Sequence, residues 1–212
     1  MVVADQETRM TTGGRGPLPS LAVETPGDGD PIEAWASLPC RIYLDTCTLQ
    51  AVHDYGGVIW EGEPFVPTGR AGRVTDFDKD LEALRMIFLV NERAMLEFVV
   101  TEATLREVRG RNDHRYTQWV NDVRDTWLVQ SAGEEIRPWG RKFDQPTFGM
   151  ISKKDRILLQ DALDLGCDAF LTMEKENKLP AAAEHVERET GLRIMRPTTY
   201  WGLLDRWANL YY

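Results

Sequence analysis

The stretch from Ser152 to Asn177, SKKDRILLQDALDLGCDAFLTMEKEN, decides the fold. Ser152 is a favoured helix N-cap, and apolar residues recur behind it at the three- and four-residue spacing of one helix face. Gly166 is placed to end that helix, and residues 169–171 form a short apolar run typical of a buried strand. The stretch therefore predicts a helix, a tight turn and a strand.

Acidic residues lie at both ends of this unit. Asp155 falls in the first turn, at the head of the apolar stripe, where the helix dipole favours a carboxylate. Asp161 and Asp164 fall on other faces of the helix, so we expect both to be solvated. Thr172 and Glu174 follow the carboxyl end of the strand, the edge at which open α/β sheets place their chemistry.

This stretch resembles the PIN domain family of metal-dependent ribonucleases. In that family an Asp opens a helix, an Ala-Leu-x-Leu-Gly run begins seven residues later, and a Thr-x-Asp closes the next strand. Asp155, residues 162–166 and Thr172-Met173-Glu174 match this order and spacing. Glu174 departs from the pattern, because the family has Asp at that position.

The opening of the domain extends the resemblance, which covers about residues 41 to 207. Residues 41–44 are a predicted strand ending in Asp45-Thr46, as in the family, and we expect the next helix to begin near Thr48. Haloacid-dehalogenase-type phosphatases also open with a strand ending in Asp, but they need a second acid two residues later. Cys47 occupies that place, which argues against phosphoryl transfer by that route.

The remaining chain alternates predicted strands and helices. We expect strands at 98–100 and 192–195 and helices at 81–93, 116–130, 180–190 and 200–207. Alternation of this kind predicts a three-layer α/β/α sandwich with a mostly parallel central sheet, which is also the PIN-like architecture.

Composition suggests one domain with an extension. Residues 1–38 are interpreted as a flexible acidic arm, residues 39–212 as the nuclease domain, and about 56–80 as an insertion or long loop. The arm carries −4 of the net charge of −9, which leaves −5 for the domain. An acid cluster that holds cations explains part of this deficit, and solubility alone explains it equally well.

The resemblance implies a site built from carboxylates. It assigns catalytic roles to Asp45, Glu107, Asp155 and Glu174, and metal binding to Asp45, Asp155 and Glu174. Mg²⁺ or Mn²⁺ is the implied cofactor, since both prefer carboxylate oxygen and water. Thr46 and Thr172 adjoin these acids and are expected to hold them by hydrogen bonds.

Each acid also has a purely structural interpretation. Asp155 can belong to a capping box with Ser152, and Glu107 can pair with Arg111 one helical turn away. Glu174 and its neighbour Glu176 can be solvated charges beside lysines. The sequence alone leaves these alternatives open.

A basic run precedes Asp155 and suggests contact with RNA. From residue 137 to 156 there are six basic residues against two acids, a balance of +4 in an acidic chain. The predicted RNA contacts are Arg141, Lys142, Lys153, Lys154 and Arg156. A solvated helix face is the alternative interpretation.

The resemblance therefore implies a metal-dependent endoribonuclease that hydrolyses single-stranded or structured RNA. The chain has no apolar run of membrane-spanning length, no signal-peptide core and no cysteine framework, which predicts a cytoplasmic protein. Similar bacterial chains are often toxins, so an antitoxin-like protein inhibitor and a homodimer are expected partners. The alternative is a catalytically inactive PIN-like RNA-binding or protein-interaction module, which Glu174 favours.

Overall fold

The computed structural model describes residues 36–67, 74–108, 114–128, 140–175 and 178–210. Four parallel strands form one sheet in the order β2-β1-β3-β4. The strands are β1 (Arg41–Leu44), β2 (Glu97–Val99), β3 (Ala169–Leu171) and β4 (Arg193–Met195). Helices cover both faces of the sheet, so the predicted three-layer α/β/α sandwich is confirmed, with every strand parallel.

Nine α-helices lie within the described ranges. They are α1 (Thr46–Asp54), α2 (Gly56–Trp60), α3 (Phe77–Ala94), α4 (Glu102–Val108), α5 (His114–Trp127), α6 (Lys153–Asp164), α7 (Lys178–Ala181), α8 (Ala183–Thr190) and α9 (Pro197–Leu204). Three 3₁₀ segments are Lys142–Asp144, Pro146–Phe148 and Asp205–Leu210.

The central strand β1 is apolar from Ile42 to Leu44, where it is buried on both faces. Ile42, Tyr43 and Leu44 have no exposed surface. Tyr43 lies in register between Val99 and Phe170, and its ring stacks on that of Phe170 at 5.3 Å between centroids. The side chains of Tyr43, Val99 and Phe170 pack with the apolar face of α6 in one core cluster. A continuous apolar run of this kind is what a parallel strand between two helical layers requires.

The opposite layer is held by a buried polar anchor. Asp80 in α3 is fully buried, forms an ion pair with Arg196, and accepts a hydrogen bond of 2.9 Å from the Thr198 hydroxyl. This anchor joins α3 to the start of α9, and the two helices pack against each other. Residues Leu81, Leu84, Ile87 and Val90 form the buried face of α3, as its periodicity predicts.

Two predictions of local structure need correction. Part of the region 56–80 is helical, because residues 56–60 form α2, which buries Ile59 and packs against α3. A five-residue helix is too short to show a period, so no pattern of residues predicts it. The helix expected over 180–190 is divided into α7 and α8.

The chain divides into two compact units, Met1–Ala36 and Ser37–Tyr212. The predicted arm over 1–38 lies outside the described residues as far as residue 35. The candidate site belongs entirely to the second unit. Among the helices that the structure describes, none combines the length and the apolar character needed to cross a membrane.

Candidate active site

Asp45 lies at the carboxyl end of the central strand. Its backbone N–H donates to the Leu171 carbonyl at 3.1 Å, which continues the pairing of β1 with β3 by one residue. Asp45 is also the N-cap of α1, which explains why this helix begins at Thr46 and not at Thr48. The side chain is only 6% exposed. One residue therefore ends a buried strand, begins a helix and buries a carboxylate at the edge of the sheet.

Three donors hold the Asp45 carboxylate. The Thr46 backbone N–H donates to Oδ1 at 2.6 Å. The Cys47 thiol and the Thr172 hydroxyl both donate to Oδ2, at 2.9 and 2.8 Å. These contacts fix the orientation of the carboxylate, and the N-terminus of α1 adds a favourable dipole.

The charge of Asp45 is only partly compensated. Burial raises the pKa of Asp45, the hydrogen bonds from Cys47, Thr172 and Thr46 oppose that rise, and the nearby Asp155 carboxylate adds to it. Within the described ranges, no Lys, Arg or His forms an ion pair with Asp45. A buried carboxylate beside a second carboxylate, with no cationic side chain paired to it, is the arrangement that a bound cation would stabilise.

Asp155 lies in the first turn of α6 and is half-buried. Its backbone N–H donates to Ser152 Oγ at 3.2 Å, so the predicted N-cap is confirmed. The reciprocal bond of a capping box, from the Ser152 N–H to the Asp155 carboxylate, is not among the hydrogen bonds described. The negative charge of Asp155 contributes to the raised pKa of Asp45.

Glu107 joins the same edge through Thr46. The Thr46 hydroxyl donates to Glu107 Oε2 at 3.1 Å, while the Thr46 N–H donates to Asp45. Lys154 Nζ lies 3.9 Å from Glu107 Oε1, and Arg111, its alternative partner, lies outside the described residues. Thr46 therefore links two of the predicted acids by hydrogen bonds, and Thr172 donates to one of them.

Glu174 lies at the rim of this edge. It is half-buried, and its backbone N–H donates to the Thr172 hydroxyl at 3.2 Å. The ammonium of the next residue, Lys175, contacts the Thr75 carbonyl at 2.8 Å and Asp76 at 3.3 Å, and Glu176 lies outside the described residues. Thr172 thus contacts both Asp45 and the backbone of Glu174.

Asp161 is not solvated, so that prediction was wrong. Its Oδ2 accepts a hydrogen bond of 2.7 Å from the Thr101 hydroxyl, and the side chain is half-buried. The Tyr43 hydroxyl lies 2.7 Å from the Thr101 hydroxyl and 2.6 Å from that of Thr104. This network ties β1 and α4 to α6, and helical periodicity could not reveal it because its partners are distant in sequence. Asp164 is also half-buried and accepts from Gln160 at 2.9 Å.

Cys47 is the site residue whose role the sequence did not reveal. Besides donating to Asp45, its Sγ lies 3.2 Å from the Thr172 hydroxyl and accepts from the Met173 N–H at 3.2 Å. Burial and the Asp45 charge raise the pKa of this thiol well above its ordinary value, which keeps it a neutral donor. The only available signal was its position two residues after the acid that caps α1.

The residues at this edge fit a hard divalent cation in their chemistry. Asp45 and Asp155 offer carboxylate oxygens, the donors that Mg²⁺ and Mn²⁺ prefer. In the part of the chain that the structure describes, no three Asp, Glu, His or Cys side chains are grouped as a metal-binding set. Mg²⁺ keeps several of its waters and usually needs only one or two carboxylates, so two acids meet the requirement.

Comparison with known proteins finds no relative of this chain. No protein-family model matches the chain, and no curated protein or solved structure matches it.

Proposed function

We propose that this protein is a metal-dependent endoribonuclease of PIN type with Asp45 at the centre of its site. The observation that supports the proposal is the buried Asp45 carboxylate, which is held by three donors at the carboxyl edge of a parallel sheet and whose pKa the Asp155 carboxylate helps to raise. Acidic side chains that are this deeply buried for structural reasons are usually paired with a cationic side chain. Buried acids that bind metal instead take up their cation from solution.

Asp45 and Asp155 are the residues that would hold Mg²⁺ or Mn²⁺, with Glu174 at the rim. A bound cation of this kind lowers the pKa of water and stabilises negative charge on a phosphate. Thr172 and Cys47 fix the Asp45 carboxylate in one orientation. We assign Glu107 to proton transfer, because the Thr46 hydroxyl donates to its carboxylate while the Thr46 N–H donates to Asp45.

RNA is the proposed substrate and the cytoplasm the proposed compartment. Lys154 supports a polyanionic substrate, because its side chain is 78% exposed and its contact with Glu107 is long at 3.9 Å. An exposed pair of this length contributes little to stability, so the ammonium is available to a phosphate oxygen. The chain as a whole is acidic, and contact with RNA must therefore be local.

A catalytically inactive RNA-binding or protein-interaction module is the second candidate. Two observations favour it: Glu174 stands where the PIN pattern has Asp, and no group of three ligand side chains is found among the described residues. The two candidates agree on binding and differ on cleavage.

Cleavage of a labelled single-stranded RNA by the full chain tests the proposal. Wild type should cleave with Mn²⁺ or Mg²⁺ and stop when EDTA is added. Asp45→Asn should lower the rate by at least about a hundredfold, equivalent to about 2.7 kcal/mol in the barrier. The control is Asp125→Asn, which removes an exposed acid from α5 and should retain the rate. Full activity of Asp45→Asn would exclude this site, and metal-independent binding without cleavage would support the inactive module.

A further inference from the structure

A cavity of about 330 Å³ lies along the flank of α6 that faces the 3₁₀ segment at 142–144. Its lining includes three cationic side chains, Arg141, Lys153 and Arg156, and two acidic ones, Asp144 and Asp161. The cavity therefore has a net charge of +1 in a chain with a net charge of −9. A basic cavity is unusual on so acidic a protein and indicates an anionic ligand.

The two acids in this lining are engaged by the protein itself. Asp161 accepts the hydrogen bond from Thr101, and Asp144 lies 3.7 Å from Arg141 in a pair that is largely exposed. Arg156 is fixed at the wall, because its Nη1 donates to the Phe143 carbonyl at 3.3 Å. Lys153 is exposed at the start of the helix. Lys153 is thus the cation of the lining most accessible to a ligand, while Arg141 and Arg156 each also make one contact within the protein.

The structure separates the five basic residues that the sequence grouped together. Lys153, Arg156 and Arg141 line the cavity, whereas Lys154 lies beside Glu107 at the catalytic edge. Lys142 lies 3.8 Å from Glu189 and is not part of the lining. The separation follows from the helix period, since residues 153, 156, 157 and 160 share one face and residue 155 lies nearly opposite.

The cavity begins at the end of α6 that carries Asp155. From Lys153 to Asp161 the helix rises by about 12 Å, at about 1.5 Å per residue. Because residue 155 lies nearly opposite the lining, a strand from the catalytic edge would cross the N-terminus of α6 to enter this cavity. Ile157, which is 46% exposed, provides an apolar surface among the cations on which a base can pack.

We propose that this α6 cavity is a binding subsite for single-stranded RNA flanking the scissile bond. The inference rests on the proposed ribonuclease function and deepens it by choosing between single-stranded and structured substrates. A cavity of this size on the flank of one helix admits an unpaired segment, whereas an A-form duplex is recognised across a wide, shallow groove. Arg141, Lys153 and Arg156 would contact phosphates, and Ile157 a base.

Binding measured without cleavage tests the subsite. A short fluorescein-labelled oligouridine is titrated with the full chain in EDTA, and its anisotropy is followed at several salt concentrations. Lys153→Gln and Arg156→Gln should each weaken binding by about fivefold, the upper range for an exposed charge pair. Each should also reduce the slope of log affinity against log salt by about 0.7.

Three variants make the result specific. Arg156→Lys should keep most of the affinity, because it keeps the charge and removes only the geometry that holds the Phe143 carbonyl. Lys79→Gln on α3, which removes a surface lysine paired with Asp76, should bind like wild type. Lys142→Gln should have a smaller effect than Lys153→Gln. Equal losses of affinity for Lys142→Gln and Lys153→Gln would overturn the inference. Equal affinity for an RNA duplex and for the oligouridine would also overturn it.

The outcome is independent of catalysis. If Asp45→Asn retains full cleavage but Lys153→Gln weakens binding, the proposed function fails and the subsite stands. If Asp45→Asn abolishes cleavage while Lys153→Gln and Arg156→Gln bind normally, the ribonuclease stands and the subsite fails. A mononucleotide that displaces the oligouridine at equal concentration would show a nucleotide site and contradict a strand-binding one.

Discussion

The Thr172 hydroxyl donates a hydrogen bond of 2.8 Å to Oδ2 of Asp45, between residues 127 positions apart. Thr172 follows β3 and Asp45 follows β1, and these strands are neighbours in parallel register. The bond exists because parallel pairing brings the carboxyl ends of the two strands to one edge of the sheet. Both side chains are almost fully buried, so the bond is shielded from water.

Thr172→Ala should therefore affect both stability and cleavage. Loss of the hydroxyl leaves a buried carboxylate with one donor fewer, which should cost about 1 to 3 kcal/mol of unfolding free energy. Chemical denaturation measures this loss, and the rate of RNA cleavage should fall with it. Thr172→Ser keeps the hydroxyl and should recover most of both. If the alanine variant cleaves like wild type, the orientation of Asp45 by Thr172 has no catalytic role.

Asp155 and Asp161 should separate metal binding from stability. Mn²⁺ should raise the melting temperature of the wild type by binding the native state. Asp155→Asn should reduce that rise. Asp161→Asn should lower the melting temperature in EDTA, because it weakens the bond from Thr101, while leaving the Mn²⁺-induced rise intact. Equal reductions of the Mn²⁺ effect in both variants would show that the metal lies on a different face of α6.

The sequence could predict the fold because its signals are local. Residues 41–44 and the apolar run 169–171 form β1 and β3 as expected, and Ser152 and Gly166 mark the two ends of α6. α2 escaped prediction because burial of Ile59 against α3, and not periodicity, stabilises it. Helix propensity and residue patterns predict secondary structure poorly where tertiary packing determines it.

The site was predictable only in part, for the same reason. The positions of Asp45, Glu107 and Asp155 follow from the order of strands and helices. The bond from Thr101 to Asp161 and the contacts of Cys47 with Asp45 and Thr172 depend on which side chains meet across elements. No spacing rule specifies such pairs, so Asp161 was expected in solvent and Cys47 was given no role at the site.

The raised pKa of Asp45 predicts a dependence of stability on pH in the metal-free protein. Because the folded pKa lies above the unfolded one, the ionised carboxylate destabilises the fold. This penalty is absent below the unfolded pKa of about 4 and grows as the pH rises through the folded pKa. Asp45→Asn lacks the penalty, so the difference between its melting temperature in EDTA and that of wild type should increase in favour of the variant as the pH rises.

Exposed Asp125 supplies the control for this pH series. Asp125→Asn removes an exposed acid from α5 and controls for the loss of one negative charge away from Asp45. Saturating Mn²⁺ should remove the advantage of Asp45→Asn at the upper end of the series, because the cation compensates the charge. If the melting temperature of Asp45→Asn in EDTA instead falls relative to that of wild type as the pH rises, the interpretation of Asp45 as an uncompensated buried acid is contradicted.

Glu174 provides the last prediction, because it is where the chain departs from the PIN pattern. The backbone N–H of Glu174 donates to the Thr172 hydroxyl, which itself donates to Asp45, so two hydrogen bonds through Thr172 connect Glu174 to the central acid. Its side chain carries one more methylene than Asp and reaches about 1.5 Å further, the length of one C–C bond. We expect contact with the cation through water, since Mg²⁺ retains several waters and tolerates an acid outside its first shell.

A contact through water makes a graded effect the expected result. Glu174→Gln should lower the cleavage rate about tenfold, equivalent to about 1.4 kcal/mol, and much less than Asp45→Asn. Glu174→Asp should retain or improve the rate, because it restores the PIN pattern. Glu184→Gln, which removes an exposed acid from α8, is the matched control. If Glu174→Gln changes neither the cleavage rate nor the Mn²⁺-induced rise in melting temperature, the site consists of Asp45, Asp155 and Glu107, because a carboxylate that contacts the cation or its waters cannot be neutralised without effect on both.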